Sequence, residues 1–294
     1  MCQPQAGMDW PTRTRQDPWR GTRPWDAVRE ARVRFGCVTS ETGRIGLLSE
    51  IGYDYVELRC RALAPLDDDF VFAAIRDRIA EAPIRPEVLS GLIPPFVALK
   101  VAGPDVDRAA LRRYLGTMLS RASQVGAATV VLGAGAARTV PAGFPRDRAL
   151  GQLREWVAIA ADLAAPREIT IALEPLNRGE TNLVNNVDEA VGLVRSLGRP
   201  NLRVAVGYFQ LLADGVPLSQ VRLAGSLIGH AHTSDADRRP PGSSPSDQPP
   251  FLEALRAAGY DGRLSVECRF ADFGIEAPAA LTYLRDAWAR LGVG

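Results

Sequence analysis

From Arg32 to the C-terminus, short apolar runs alternate with longer amphipathic stretches. The runs are Val33–Cys37, Tyr55–Leu58, Glu87–Leu92, Thr129–Leu132, Ile169–Leu173, Leu202–Val206, Ile228–Thr233 and Leu264–Cys268. Their length and bounding residues suit buried strands. Helical spacing is clearest over Asp105–Val125, Ala149–Ala165, Val187–Leu197 and Ala277–Leu291. Asp107 falls in the first turn of the helix that begins near Asp105, where its charge complements the helix dipole. Strands separated by helices imply a parallel sheet, and eight such strands close into a barrel. The pattern predicts an α/β chain with a single (β/α)8 barrel over residues 32–294.

Residues 1–31 precede that pattern. Pro4, Pro11, Pro18 and Pro24 interrupt them, and the apolar core of a secretory signal is missing. These residues read as an arm or a disordered lead, and Trp10, Trp19 and Trp25 suit an arm packed on the barrel or on a partner, because indole surface seeks burial. The Pro/Ser/Gly-rich stretch from Arg239 to Pro250 lies between the seventh strand and its helix. It reads as a loop at the barrel mouth, not a domain boundary.

Composition narrows the partners. A net charge of +1 over 294 residues leaves no basic footprint for nucleic acid or an anionic membrane. No apolar run reaches membrane-spanning length. Cys2, Cys37, Cys60 and Cys268 lack metal-ligand spacing, and two lie inside strand runs as small hydrophobes, so a reduced, cytoplasmic protein is expected. Lys100 is the sole lysine and His230 and His232 are the sole histidines. Lys100 reads as a surface residue, so Schiff-base chemistry has no credible carrier.

Catalytic groups of such barrels gather at the carboxyl ends of strands. The fifth run ends on Glu174 followed by Pro175, which stops strand pairing. The seventh carries His230 and His232, two residues apart and hence on one face. The eighth ends near Glu267. Buried together, two carboxylates and an imidazole need a cation, shared protons or a polar ligand to compensate them. Each taken alone is more often a structural salt bridge or a satisfied core histidine, but their meeting at three strand ends marks a site. Glu57, near the end of the second strand, either lines that pocket or pairs an arginine. Arg138, after the fourth strand, either meets an anion or is a solvated loop residue. Gly133–Gly135 reads as a tight turn.

Several motifs, taken in order, resemble the sugar-phosphate isomerase/epimerase superfamily of xylose-isomerase-like TIM barrels, especially its ketose 3-epimerase and hydroxypyruvate-isomerase-like branch. They are Gly52-Tyr53-Asp54-Tyr55-Val56-Glu57, Val131-Leu132-Gly133-Ala134-Gly135, Leu173-Glu174-Pro175-Leu176-Asn177-Arg178, Glu180-Thr181-Asn182, His230-Ala231-His232, and Ser265-Val266-Glu267. The resemblance implies one divalent ion (Mn, Co or Mg) held by Glu, Asp, His and Glu from strands five to eight. By motif, Glu174 and Glu267 match the two glutamates, which also move a proton beside a carbonyl, and His232 matches the histidine. Arg238 and Glu180 match groups that grip substrate. His230 is expected at the pocket floor. The partner is a small-molecule substrate, and pairing into a homodimer is common among such barrels.

The chain departs from that pattern at the sixth strand. Gly207 stands at the expected aspartate and Gln210 at an expected substrate-contacting histidine, while Asp214 comes too late. Glu174, His232 and Glu267 remain for a weakened, zinc-like open site. Three readings stay open: a sugar-like or hydroxy-ketone isomerase or epimerase; a repurposed barrel running a metal-independent lyase, dehydration or rearrangement step; and a non-catalytic metabolite-binding barrel.

Overall fold

The computed structural model describes residues 33–244 and 248–291. The tryptophan-bearing arm lies outside the described residues. Eight parallel strands close in sequence order into one barrel: β1 (Arg34–Thr39), β2 (Tyr55–Arg59), β3 (Pro86–Ser90), β4 (Thr129–Leu132), β5 (Thr170–Leu173), β6 (Leu202–Gly207), β7 (Ile228–Thr233) and β8 (Arg263–Val266). Around them run α1 (Ile45–Ile51), α2 (Asp69–Ala80), α3 (Arg108–Gln124), α4 (Gly135–Arg138), α5 (Arg146–Ala164), α6 (Val187–Leu197), α7 (Tyr208–Asp214), α8 (Ser219–Ala224), α9 (Pro249–Ala257) and α10 (Phe273–Arg290). No described helix is long and apolar enough to cross a membrane.

The expected strand positions hold, with ends moved by one or two residues. Two shifts matter. β2 runs past Glu57 to Arg59, and β8 stops at Val266, which leaves Glu267 and Cys268 just beyond it. Cys268 is therefore a part-exposed residue beyond the strand, not a strand residue. Asp107 is not inside the first turn of α3 but caps it, its carboxylate accepting from the Ala110 N–H at 2.9 Å. α10 likewise begins a turn earlier than the apolar spacing suggested, because Asp272 caps it through Ile275.

The barrel interior is layered by the period-two alternation of its strands. Tyr55, Val88, Val131, Ala172 and Ala205 form one buried layer. The Tyr55 ring crosses the space above Gly36, where a Cβ would sit 2.3 Å from its Cζ. Its hydroxyl reaches across β1 to meet Ser265 Oγ on β8 at 2.8 Å. Below this layer, at the amino ends of the strands, Glu87 accepts from Arg34 and from Arg263 Nε at 2.7 Å.

Burial alone would raise the Glu87 pKa, but hydrogen bonds and charge from Arg34 and Arg263 outweigh it and hold the carboxyl below its ordinary 4.5. A depressed carboxylate contributes stability above its unfolded pKa and loses it as pH falls through the folded value. Glu87→Gln should therefore cost about 1.5–3 kcal/mol at neutral pH. In urea denaturation the gap to wild type should close as pH drops below 4.5; a gap independent of pH would assign the loss to packing.

Candidate functional site

The site grows upward from the same alternation. On β2, Tyr55, Glu57 and Arg59 face inward in succession, and on β7 His230 and His232 do the same. Glu57 is wholly buried and accepts from both imidazoles. His230 Nε2 lies 2.8 Å from its Oε2 and His232 Nε2 lies 2.9 Å from its Oε1. The two rings cross edge-to-face at 83°. The other nitrogen of His232, Nδ1, faces Glu174 Oε1 at 3.0 Å and Glu267 Oε2 at 3.9 Å.

Burial pushes the His232 pKa down, yet Glu57, Glu267 and Glu174 reverse this and hold it well above 6.5. Burial likewise opposes ionisation of Glu57, but the charges and hydrogen bonds of His232 and His230 hold it well below the carboxylate range. His230 lacks that surplus of carboxylates, and burial lowers its pKa. Glu267 is held below its ordinary value despite burial by Arg59, then His232. Arg59 Nη2 donates to Glu267 Oε1 at 2.5 Å, and Arg238 Nη1 approaches Oε2 at 3.4 Å.

Around the rim, Arg238 pairs with Glu180 and lies over the Phe209 ring at 4.1 Å. Asp237 and Arg238 both adopt left-handed backbone, φ 59° and 57°. Non-glycine residues take this conformation only where surroundings enforce it, and here the two carboxylates and the aromatic ring hold Arg238. Gln210, on α7, accepts from Asn177 N–H at 2.9 Å and from Asn177 Nδ2 at 2.6 Å, and donates to Glu180 Oε1 at 3.3 Å. Its carbonyl is taken by Asn177 and one of its N–H groups goes to Glu180, so the two amides together fix Glu180. Arg59, Glu174, Glu180, Gln210, Arg238 and Glu267 line one cavity of about 660 Å³, with Lys100 at its rim.

Thus the structure brings together Glu57, Glu174, Glu180, Gln210, His232, Arg238 and Glu267, with His230 beneath them. Arg138 is neither solvated nor turned to the cavity. It is fully buried and donates through Nη2 to the main-chain carbonyl of Glu174 at 2.9 Å, and burial lowers its pKa to about 10. Asp214 closes α7 and accepts from the Arg178 N–H at 2.9 Å, outside the ligand cluster. The Gly133–Gly135 stretch is not a glycine turn, since the left-handed residue there is Ala134 (φ 53°). Its glycines permit close approach instead. A Cβ on Gly133 would lie 3.0 Å from Glu174 Oε2, and one on Gly135 would lie 3.0 Å from the Glu180 carbonyl. Sequence reasoning missed Arg59 and Asn177. The alternation of Tyr55, Glu57 and Arg59 signals the first; Asn177 stands inside the Leu173–Arg178 motif, which gave it no role of its own.

The donors fit a divalent ion. Glu174, His232 and Glu267 each offer an atom within 4.8 Å of the others, and all three are buried. Glu57 anchors the far nitrogen of His232, as outer carboxylates do for histidine ligands. Two oxygens and one imidazole nitrogen make a three-ligand set with an open position. The fourth ligand is missing. A Cβ on Gly207 would meet Gln210 Cγ at 3.2 Å and Glu174 Oε1 at 3.3 Å, so Gln210 already occupies part of that space.

A closed (β/α)8 barrel with carboxylates, an imidazole and a gripping arginine around one mouth defines a class of small-molecule enzymes. Residues 45–287 match the family described as "Xylose isomerase-like TIM barrel", and the chain belongs to it. A D-psicose 3-epimerase of Agrobacterium fabrum is 26% identical over 224 residues, 75% of this chain and 76% of that one. One from Ruminiclostridium cellulolyticum is 30% identical over 122 residues, 41% of this chain and 40% of the other. The 2-oxo-tetronate isomerase of Cupriavidus necator is 28% identical over 164 residues, 54% of this chain and 61% of that one. Among solved structures, a D-psicose 3-epimerase crystallised in the presence of D-fructose superposes with TM-score 0.76 at 21% identity, over 87% of this chain and 99% of that one.

Restoring the missing pair tests the ligand assignment. The double variant Gly207→Asp/Gln210→His should bind Mn²⁺ or Zn²⁺ at least about tenfold more tightly by calorimetry, since a further carboxylate strengthens a hard-cation site. Gly207→Asp alone should gain less, because Gln210 crowds the new side chain. Unchanged affinity in the double variant would place the ion elsewhere.

Proposed function

We propose that this chain is an isomerase or epimerase that moves a proton at the carbon beside the carbonyl of a sugar-like or hydroxy-ketone substrate. One observation carries the reading. Glu174 and Glu267, each one residue beyond its strand, reach the same His232 nitrogen from different sides of the barrel, in a cavity whose rim holds Glu180 and Arg238. The relatives named above are sugar epimerases and isomerases, which supports an isomerase with the reaction class left open.

In this reading one carboxylate takes the proton from the carbon and an enediolate forms. The other returns a proton, to the opposite face in an epimerisation or to the neighbouring carbon in an isomerisation. Arg59 keeps Glu267 ionised and fixes its angle. Arg238 and Glu180 hold hydroxyls of the substrate, and Gln210 with Asn177 keeps Glu180 in place. An ion held by Glu174, His232 and Glu267 would polarise carbonyl and hydroxyl oxygens.

A second reading, a metal-independent lyase, dehydration or rearrangement step, draws on Gly207 and on the balance of charge. Glu267 already has two guanidinium partners, and Glu57 and Glu174 share an imidazolium. Metal content of the purified protein separates the two. Stoichiometric Mn, Co, Mg or Zn with activity abolished by a chelator excludes the second reading; full activity in a chelator excludes the first as a metal enzyme.

Glu267→Gln should lower turnover of the accepted substrate by about 10³-fold or more while the thermal transition stays near wild type. In D2O the wild type should place deuterium at the carbon beside the carbonyl, and the variant should not. Binding of sugar without turnover in the wild type would favour a non-catalytic barrel.

A further inference from the structure

The cavity is divided by chemistry. Its hydrogen-bonding side chains come from β2 and from the segments after β5 to β8, with one exception. The exception is Lys100, whose ammonium turns to the Ala136 carbonyl at 3.3 Å. Otherwise the segment after β3 offers Gly91 and then Ile93, Pro94, Pro95, Val97, Ala98 and Leu99, and the segment after β4 offers only glycine and alanine over residues 133–137. The closing order of the barrel sets β3 and β4 across from β7 and β8. An apolar wall therefore confronts Arg238 and Glu267.

The backbone of this wall adds little polarity. Pro94 and Pro95 have no N–H to give. The Val97 N–H donates to the Pro94 carbonyl at 2.9 Å, and the Leu99 N–H donates to the Val97 carbonyl at 2.8 Å. The wall is also tied down at both ends. Tyr114 donates to the Leu92 carbonyl at 2.6 Å, and the Val101 N–H donates to the Ala137 carbonyl at 2.7 Å. Gln152 clasps both main-chain groups of Gly103, at 2.9 Å and 2.8 Å. Phe96, on the same loop, stays 55% exposed.

A bare sugar suits this wall poorly. It carries a hydroxyl on nearly every carbon, and a hydroxyl pressed on an apolar surface loses water without gaining a partner. Nor does it fill the space. With each heavy atom given no more room than one water, a hexose takes at most about 360 Å³, little over half of the cavity's 660 Å³.

We infer that residues 93–99 and 133–137 form a second subsite, which takes an apolar substituent of about phenyl size carried by the sugar-like substrate. The substrate class is then a hydroxy-ketone with an apolar group attached beyond its reacting carbons. The polar end rests on the function proposed above; the subsite rests on the wall itself.

Calorimetry with three probes tests this: D-fructose, 1-O-benzyl-D-fructose and 6-O-benzyl-D-fructose. The two ethers place the ring at either end of the same ketose, so the orientation of the sugar need not be known. One ether should bind at least about tenfold more tightly than D-fructose, from burial of the ring. Ala98→Asp and Leu99→Asn, at exposed and half-exposed positions of the wall, should each cut that ratio at least about fivefold. Three results overturn the inference: neither ether binds, neither binds more tightly than D-fructose, or the preference persists in both variants, which would put the ring elsewhere. If a variant does not fold, the wild-type comparison and the other variant decide. Deuterium uptake from D2O into the same probes keeps the two claims apart. Tight binding of an ether without uptake removes the isomerase reading and leaves the subsite. Uptake into D-fructose without a preference for either ether does the reverse.

Discussion

A single carboxylate buried in the middle of the barrel constrains the rest of the site. Desolvating Glu57 is costly, and the cost is offset only because β7 brings two imidazoles to it from the far side of the barrel. That requirement fixes the alternation of β7, which places His232 one level above His230. It also fixes the height of the reacting layer, since Glu174 and Glu267 must stand where His232 Nδ1 points. Arg59, two residues above Glu57 on the same strand, then falls beside Glu267. The chemistry at the mouth is built on a polar floor, not on a purely apolar one.

The sixth strand shows the same economy in reverse. Gly207 does not leave a simple gap, because Gln210 leans into the space and joins Asn177 in holding Glu180. Where a side chain at 207 could bring charge to the centre of the pocket, neutral amides stiffen its rim instead. The remaining carboxylates are matched by Arg59, Arg238 and His232.

The alternation of strand runs made the barrel legible before any coordinates, and the abrupt ends at Glu174 and Glu267 made its mouth legible too. What remained hidden is non-local. Arg59 is one arginine among many, and only the closure of β2 against β3 and β1 puts it beside a residue more than 200 positions away. Arg138 read as a solvated loop residue because its true partners are main-chain carbonyls, which leave no trace in side-chain composition. The glycines at 133 and 135 suggested a turn because a sequence does not show that the Glu174 side chain and the Glu180 main chain, just beyond the next strand, need the space of their missing side chains. Helix starts slipped where an aspartate caps the helix instead of riding in its first turn.

The ion cluster of Arg34, Glu87 and Arg263, with the Tyr55 ring lying across Gly36, plugs the end of the barrel away from the mouth. The site is therefore a blind well. Among the described residues the cavity opens at the mouth, and whatever fills that opening cuts the carboxylates off from bulk water at a stroke. Shielding of a labile intermediate then needs no door that moves at the bottom. It needs only a substrate long enough to stopper the top.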